Sequence, residues 1–515
     1  MDSDAIDVMG SFLGDCPFKP YGNSDSFSVS PNDDVIAYAT QSREVQAQSV
    51  RMHIYIYQIP EISQFGLKDE RNIHNQKNNT VQPQLCLTNG QRGIHAMPIF
   101  SPSGRFLAYL ATESDIDYKG IMKITIYDFY TREQRILCKD WDSSPENRIF
   151  SIDVISGKRS QAFPLESSAS SVKLLNSTTL IYLRSSFIDT PNIYAINWFD
   201  AETKALINEK KLTDVNHEAF SSLTYQLQTP NELEVASVDG SSIHCRFFPP
   251  AGNQPTQKAS VPLVVWVHGG PESSWNNEWN DRWNPQIFAQ AGFALLLPDI
   301  HGSTSYGSKF QKAILGNWSG IALDDVISAR KKVLQNYEYL DENRTAAMGG
   351  SFGGYMMNLI QMQETLEKNP FVCIVCHDPV FDVAQSAFES DILFFIHEEH
   401  GSSAWTDRSA EDKHSPTKQS GLRLEKIHTP QLTFQGGRDF RCSRGQGFGA
   451  FTVLQRLGVK SRLVFFPSEN HWVLNPANVI EWNNEALSWL KDNVEDKEQA
   501  ENTMKRKLEL LQSVL

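Results

Sequence analysis

Residues 349–354 read Gly-Gly-Ser-Phe-Gly-Gly, which puts Ser351 at the centre of a Gly-x-Ser-x-Gly pattern. A hydroxyl offered for attack has to stand on a strained turn between a strand and a helix. Glycines two residues either side let those flanking elements approach. The pattern alone is common, and its surroundings give it weight. Arg344-Thr-Ala-Ala-Met348 before it reads as a short buried strand, and Tyr355-Met-Met-Asn-Leu-Ile360 after it opens a helix.

From this turn the same grammar extends in both directions. Leu263-Val-Val-Trp-Val267 and Phe293-Ala-Leu-Leu-Leu297 are continuous apolar strands, the mark of burial on both faces. Pro430-Gln-Leu-Thr-Phe434 and Arg462-Leu-Val-Phe-Phe466 continue the series, with helical stretches between. Strands alternating with helices predict a doubly wound, mostly parallel sheet over 241–492.

A serine is inert at its own pKa and needs a base, and the base needs an acid to fix its tautomer. His471 follows a strand in Pro467-Ser-Glu-Asn-His-Trp472, and Asp439 follows another in Gly436-Gly-Arg-Asp-Phe-Arg441. The gaps are 88 residues (439 − 351) and 32 residues (471 − 439). The order Ser…Asp…His at successive strand ends is that of α/β-hydrolases. An oxyanion hole needs two backbone amides. His268-Gly-Gly-Pro271 supplies one, at Gly270, and Phe352 after the nucleophile supplies the other. His268 itself is read as a histidine that structures this loop.

The N-terminal half reads differently. Ser30-Pro-Asn-Asp-Asp-Val-Ile-Ala-Tyr38 is echoed by Ser101-Pro-Ser-Gly-Arg-Phe-Leu-Ala-Tyr109, and each is followed by an alternating strand, His53–Tyr57 and Lys123–Tyr127. A turn, a strand and a second strand with one apolar face is how a propeller blade reads. A polar insertion over 68–84 explains the long period. A third unit runs through Thr179–Leu183 and Asn192–Ile196, and Arg148–Val154 is a candidate part of another. Residues 1–240 are therefore expected to form a partial β-propeller of three to four blades. Residues 493–515 read as a charged helix with an apolar stripe at Met504, Leu508, Leu511 and Leu515, expected first to pack on its own domain, with a homo-oligomer contact as the alternative.

Composition sets the outer limits. Hydrophobic residues make up 40% and charged residues 21%, which is enough to bury large cores. The net charge of −14 argues against nucleic acid and anionic lipid as partners. No apolar run is long enough to span a membrane, and residues 1–20 lack the basic and apolar regions of a signal peptide. Cys373 and Cys376 form a CxxC inside an apolar strand and are read as buried core, not as a redox pair. The sequence contains no metal cluster and no phosphate loop, so no cofactor or metal is expected.

Together, His268–Pro271, Asp299–Gly307, Gly349–Met356, Gly436–Arg441 and Phe466–Val473 resemble the prolyl-oligopeptidase family of serine peptidases. Cys376-His-Asp-Pro-Val-Phe-Asp382 and the run 457–476 are most similar to its dipeptidyl-peptidase V and acylaminoacyl-peptidase-like branch. The resemblance implies a peptidase acting on short peptides and releasing N-terminal dipeptides. It also implies a propeller of about seven blades, so the chain is expected to be an N-terminally shortened relative. The compartment is open: cytoplasmic as written, secreted if a leader precedes Met1. Two departures are His301, where the family often has Arg, and Cys442-Ser443, where it has Val-Pro. The alternatives are a carboxylesterase-like hydrolase and a non-catalytic relative.

Overall fold

The computed structural model describes residues 8–9, 14–17, 23–42, 49–59, 85–112, 122–142, 147–159, 167–197, 207–223, 226–252, 255–363, 365, 367, 369–419 and 427–495. The chain forms two compact units. One contains 1–141 with 152–159, and the other contains 142–151 with 160–515. The insertion at 68–84 and the tail helix beyond 495 lie outside the described residues.

The first unit holds two four-stranded antiparallel meanders. One is β1 (Phe27–Val29), β2 (Val35–Thr40), β3 (His53–Gln58) and β4 (Leu85–Cys86). The other is β5 (His95–Phe100), β6 (Phe106–Ala111), β7 (Lys123–Asp128) and β8 (Glu133–Ile136). The sequence echo has a physical basis. Ser30 and Ser101 each close the same turn, with the hydroxyl accepting the N–H of Val35 at 2.9 Å and of Phe106 at 3.0 Å. The inward faces carry Ala37, Ala39 and Ile54 in the first meander, and Leu107, Tyr109 and Thr125 in the second.

A third meander belongs to the second unit: β9 (Ser168–Leu174), β10 (Thr179–Ser186), β11 (Asp189–Asn197) and β12 (Ile207–Lys211). The segment 148–154 forms no named strand. Ile149 packs on the core of the third meander, and Ile152 makes an isolated bridge to Arg159 beside a turn in which Asp153 accepts the Ser156 N–H at 2.6 Å.

The core of the second unit is an eight-stranded sheet. Its strands are β13 (Asn231–Ala236), β14 (Ser242–Phe248), β15 (Val261–Val267), β16 (Ala294–Asp299), β17 (Leu340–Gly350), β18 (Cys373–His377), β19 (Gln431–Gly436) and β20 (Ser461–Phe466). They lie in the order β13-β14-β16-β15-β17-β18-β19-β20. Strands β15 to β20 run parallel, and β14 is antiparallel to both its neighbours. The boundary expected at 240/241 falls in the turn of the β13–β14 hairpin, so the sheet begins ten residues earlier, at Asn231 (241 − 231).

Both faces are covered, as the all-apolar β15 requires. Leu263, Val265 and Val267 face the helices Ile321–Asn336 and Phe352–Gln361, whereas Val264 and Trp266 face Phe288, Trp482 and Trp489. The helices starting at Pro285 and Pro476 begin cleanly. Asn284 and Asn475 each accept an N–H of the first turn, and proline fits the first helical position. The parallel strands thereby open at one edge, where their carboxyl ends deliver the loops that carry the chemistry.

Candidate active site

Ser351 lies between β17 and the helix Phe352–Gln361 with φ +59° and ψ −118°. A non-glycine residue holds such angles only where its surroundings impose them, at a cost of ~1–3 kcal/mol. Two features impose them here. The Ser351 N–H donates to the His377 carbonyl on β18 at 2.9 Å. A Cβ on Gly353 would sit 2.2 Å from the Val267 carbonyl oxygen, so only glycine lets the helix start against β15.

Asp439 follows β19, and His471 follows β20. His471 Nδ1 bonds Asp439 Oδ2 at 2.7 Å, and both residues are buried. Asp439 Oδ1 accepts the N–H groups of Arg441 at 2.8 Å and Cys442 at 2.9 Å, which fixes the carboxylate. Arg282 donates to the carbonyl of Trp472 at 2.7 Å and so holds the loop that carries His471.

The structure brings the predicted acid and base together but leaves the serine one contact short. Ser351 Oγ meets the Cys442 thiol, whose pKa is pushed well up by burial and by Asp439. Among the described residues it makes no hydrogen bond to His471, and His471 Nε2 is not bonded to any of them. Cys442 joins the two halves, since its sulfur touches Ser351 and its N–H holds Asp439.

The predicted oxyanion loop abuts the nucleophile. A Cβ on Gly269 would lie 3.1 Å from Ser351 Cβ, and Gly270 has φ +120°, where a side chain would strike the Glu272 amide at 2.4 Å. Neither the Gly270 nor the Phe352 amide enters a main-chain hydrogen bond among the described residues. His268 is tied into its own loop. Its ring bonds the Gly269 carbonyl at 2.7 Å and Ser303 Oγ at 2.8 Å, and burial lowers its pKa.

A family model described as the prolyl oligopeptidase family matches residues 279–497. A protein named dipeptidyl-peptidase 5 from Arthroderma otae is 31% identical over 495 residues, which is 92% of this chain and 65% of that protein. The stretch 279–497, which carries Ser351, Asp439 and His471, is thus similar to the prolyl oligopeptidase family. A dipeptidyl-peptidase 5 of Schizosaccharomyces pombe is 28% identical over 94% of this chain and 68% of its own length. The chain thus spans about two thirds of the curated relatives it matches. Among solved structures, an acylaminoacyl peptidase of Pyrococcus horikoshii shares the fold with a TM-score of 0.72 at 18% identity. That match covers 92% of this chain and 72% of the other. A puromycin hydrolase shares it at 0.69 and 17%, over 90% of this chain and 69% of the other.

Two residues given no role in the sequence analysis sit at the centre of this candidate site. His377 and Asp378 end β18, and both are buried. Asp378, Asp439 and His471 each bring one donor atom within 4.8 Å of the others. That is close enough for an ion, but in this structure His471 Nδ1 is already bonded to Asp439. The available signal was position: the apolar run 371–376 ends in two titratable residues, His377 and Asp378, at a strand's carboxyl end, the place from which Ser351, Asp439 and His471 also come.

Proposed function

We propose that this chain is a serine peptidase that hydrolyses short peptides and releases N-terminal dipeptides, through an acyl-enzyme on Ser351. One observation carries the reading: a serine held at positive φ on a strand–helix turn, beside a buried Asp439–His471 pair whose Nε2 is unengaged. The relatives named dipeptidyl-peptidase support the dipeptidyl assignment.

In this reading the chemistry belongs to the sheet domain, assigned to 241–492. When substrate enters, the Ser351 hydroxyl turns from Cys442 to His471 Nε2, a contact that often closes only in the occupied site. Ser351 Oγ attacks the scissile carbonyl carbon, and its proton passes to Nε2. The Gly270 and Phe352 amides hold the resulting oxyanion, a contribution of about 10²–10³ in rate per donor. His471 then protonates the leaving amine, and water repeats the sequence on the acyl-enzyme. Asp439 keeps the Nδ1–H tautomer throughout.

The test compares dipeptidyl anilides, N-acylated anilides and short acyl esters on the full chain, with fluorophosphonate labelling alongside. Turnover of dipeptidyl anilides is expected, together with labelling that disappears in Ser351→Ala. Turnover of esters alone would make the protein a carboxylesterase. A folded chain that never labels at Ser351 would end the reading.

A further inference from the structure

The end of β18 touches every arm of the proposed triad. The His377 carbonyl accepts the Ser351 N–H at 2.9 Å. His377 Nε2 faces the His471 carbonyl at 3.3 Å. Asp378 N–H donates to the Phe434 carbonyl at 3.0 Å, and Asp378 Oδ1 accepts the Gly436 N–H at 2.7 Å, which secures both sides of the turn into the acid loop. Asp378 has φ +39°, a second strained residue at the same strand edge.

Asp378 Oδ2 is the atom left to explain. It is fully buried and accepts no hydrogen bond from the described residues. His377 Nε2 stands 3.2 Å away, but its geometry serves the His471 carbonyl. The Asp439 carboxylate faces the Asp378 carboxyl group, with an oxygen of each within 4.8 Å of the other. Two bare carboxylates at this distance in a buried site would repel, and each would lack a donor. One proton between them removes both penalties.

We propose that Asp378 is a positioning residue that keeps a proton on Oδ2 and donates it to Asp439, so that the triad acid is one half of a carboxyl–carboxylate pair. The proposal rests on the reading of Ser351, Asp439 and His471 as a triad. The other charged or titratable groups facing the pair are few. His471 lies on one side, His377 is neutral with its pKa lowered to about 3 by burial, and the thiols of Cys376 and Cys442 are held protonated by burial. Burial, then the Asp439 charge, pushes the Asp378 carboxyl well above the ordinary range. The function follows. A neutral donor spreads the Asp439 charge and braces it for the Nδ1–H bond, whereas a second anion would trap the proton on His471 and silence the base.

The test uses the full chain and two variants. In infrared difference spectra at neutral pH, wild type should show the carbonyl stretch of one protonated carboxyl that Asp378→Asn lacks. Asparagine keeps a neutral donor on Oδ2's side, so Asp378→Asn should lose only about two- to fivefold in kcat. KM and the acid-side midpoint of the pH profile should stay fixed. Asp378→Ala removes the donor, and should lower kcat at least about tenfold and move that midpoint upward. The proposal is overturned by a missing infrared difference, or by a midpoint that falls about one unit in Asp378→Asn, as loss of an anion would cause. Wild-type kinetics in Asp378→Ala would overturn it too. The infrared arm reads the proton without turnover, so it still decides if the peptidase reading fails.

Discussion

Two Asp–His pairs lie past the carboxyl ends of parallel strands in the sheet domain, and at first sight they match. His471 Nδ1 meets Asp439 at 2.7 Å, and His301 Nδ1 meets Asp325 at 2.7 Å, with all four residues buried. Each also has a serine nearby, Ser351 for one and Ser241 for the other. The difference is at Nε2. His301 Nε2 bonds Ser241 Oγ at 3.0 Å with Asp239 at 3.4 Å, and the ring stacks on Phe310 at 4.1 Å. Ser241 Oγ donates to Asp239 at 2.7 Å, and Asp325 Oδ1 is taken by Ser237 at 2.6 Å. Every valence is spent on tying the β13–β14 turn to the helix Ile321–Asn336. His471 keeps Nε2 open, and its serine is held on a strained elbow. An Asp–His–Ser chain is therefore not itself a catalytic signature; an unspent nitrogen beside a strained hydroxyl is.

The sharpest way to break this contrast is to remove each histidine in turn. His471→Ala should reduce kcat by on the order of 10⁴–10⁶-fold while the denaturant midpoint stays close to wild type. His301→Ala should leave kcat and Ser351 labelling intact. It should cost about 3 kcal/mol of stability, because Asp325 loses a partner and stays buried. Urea unfolding read beside steady-state kinetics separates the two. If His301→Ala abolishes turnover at full stability, the second pair belongs to the chemistry and the contrast fails.

The acids should divide in the same way, with smaller effects. Asp439→Asn keeps the shape but favours the wrong imidazole tautomer, and should lower kcat by about 10⁴-fold. Asp325→Asn should lower stability by about 1–2 kcal/mol and leave kcat/KM unchanged. Matching kinetic losses in both variants would mean that His301 and His471 act together.

These pairs also show what could be read along the chain and what could not. The elbow at Ser351, the strand ends carrying Asp439 and His471, and the Gly269-Gly270 loop were legible because each is a local pattern with a local cause. The blade turns at Ser30 and Ser101 were legible for the same reason. Asp325 and Asp378 were not, because their partners are set by strand order: β18 lies beside β19, and β16 lies beside β14. Spacing carries no record of that adjacency. His301 could be noted only as a departure from arginine, whereas the structure shows that it still ties to a carboxylate, Asp325. Arg148–Val154 shows the limit of alternation as a signal: Ile149 packs on the third meander, but the Asp153 side chain closes a turn that ends the run.

The smallest expected effect reaches the third carboxylate, Asp378, through stability and not rate. A carboxyl with a raised pKa holds its proton in the fold at pH values where the unfolded chain, titrating near ~3.9, has released it. Over that window the native state binds more protons than the unfolded state, so stability falls as pH rises, by at most about 1.4 kcal/mol per unit. Asp378→Asn has no proton to lose. The difference in unfolding free energy, wild type minus variant, should therefore decline from pH 5 to pH 8. His377 and His268, both lowered by burial, act with the opposite sign below the ordinary imidazole range. They are present in both proteins and cancel in the difference. Chemical denaturation of the two proteins at four or five pH values gives the slope directly. A flat or rising difference would mean that Asp378 is ionised in the fold. The triad acid would then stand beside a second anion, and the fully satisfied His301–Asp325 pair would be the better shielded of the two.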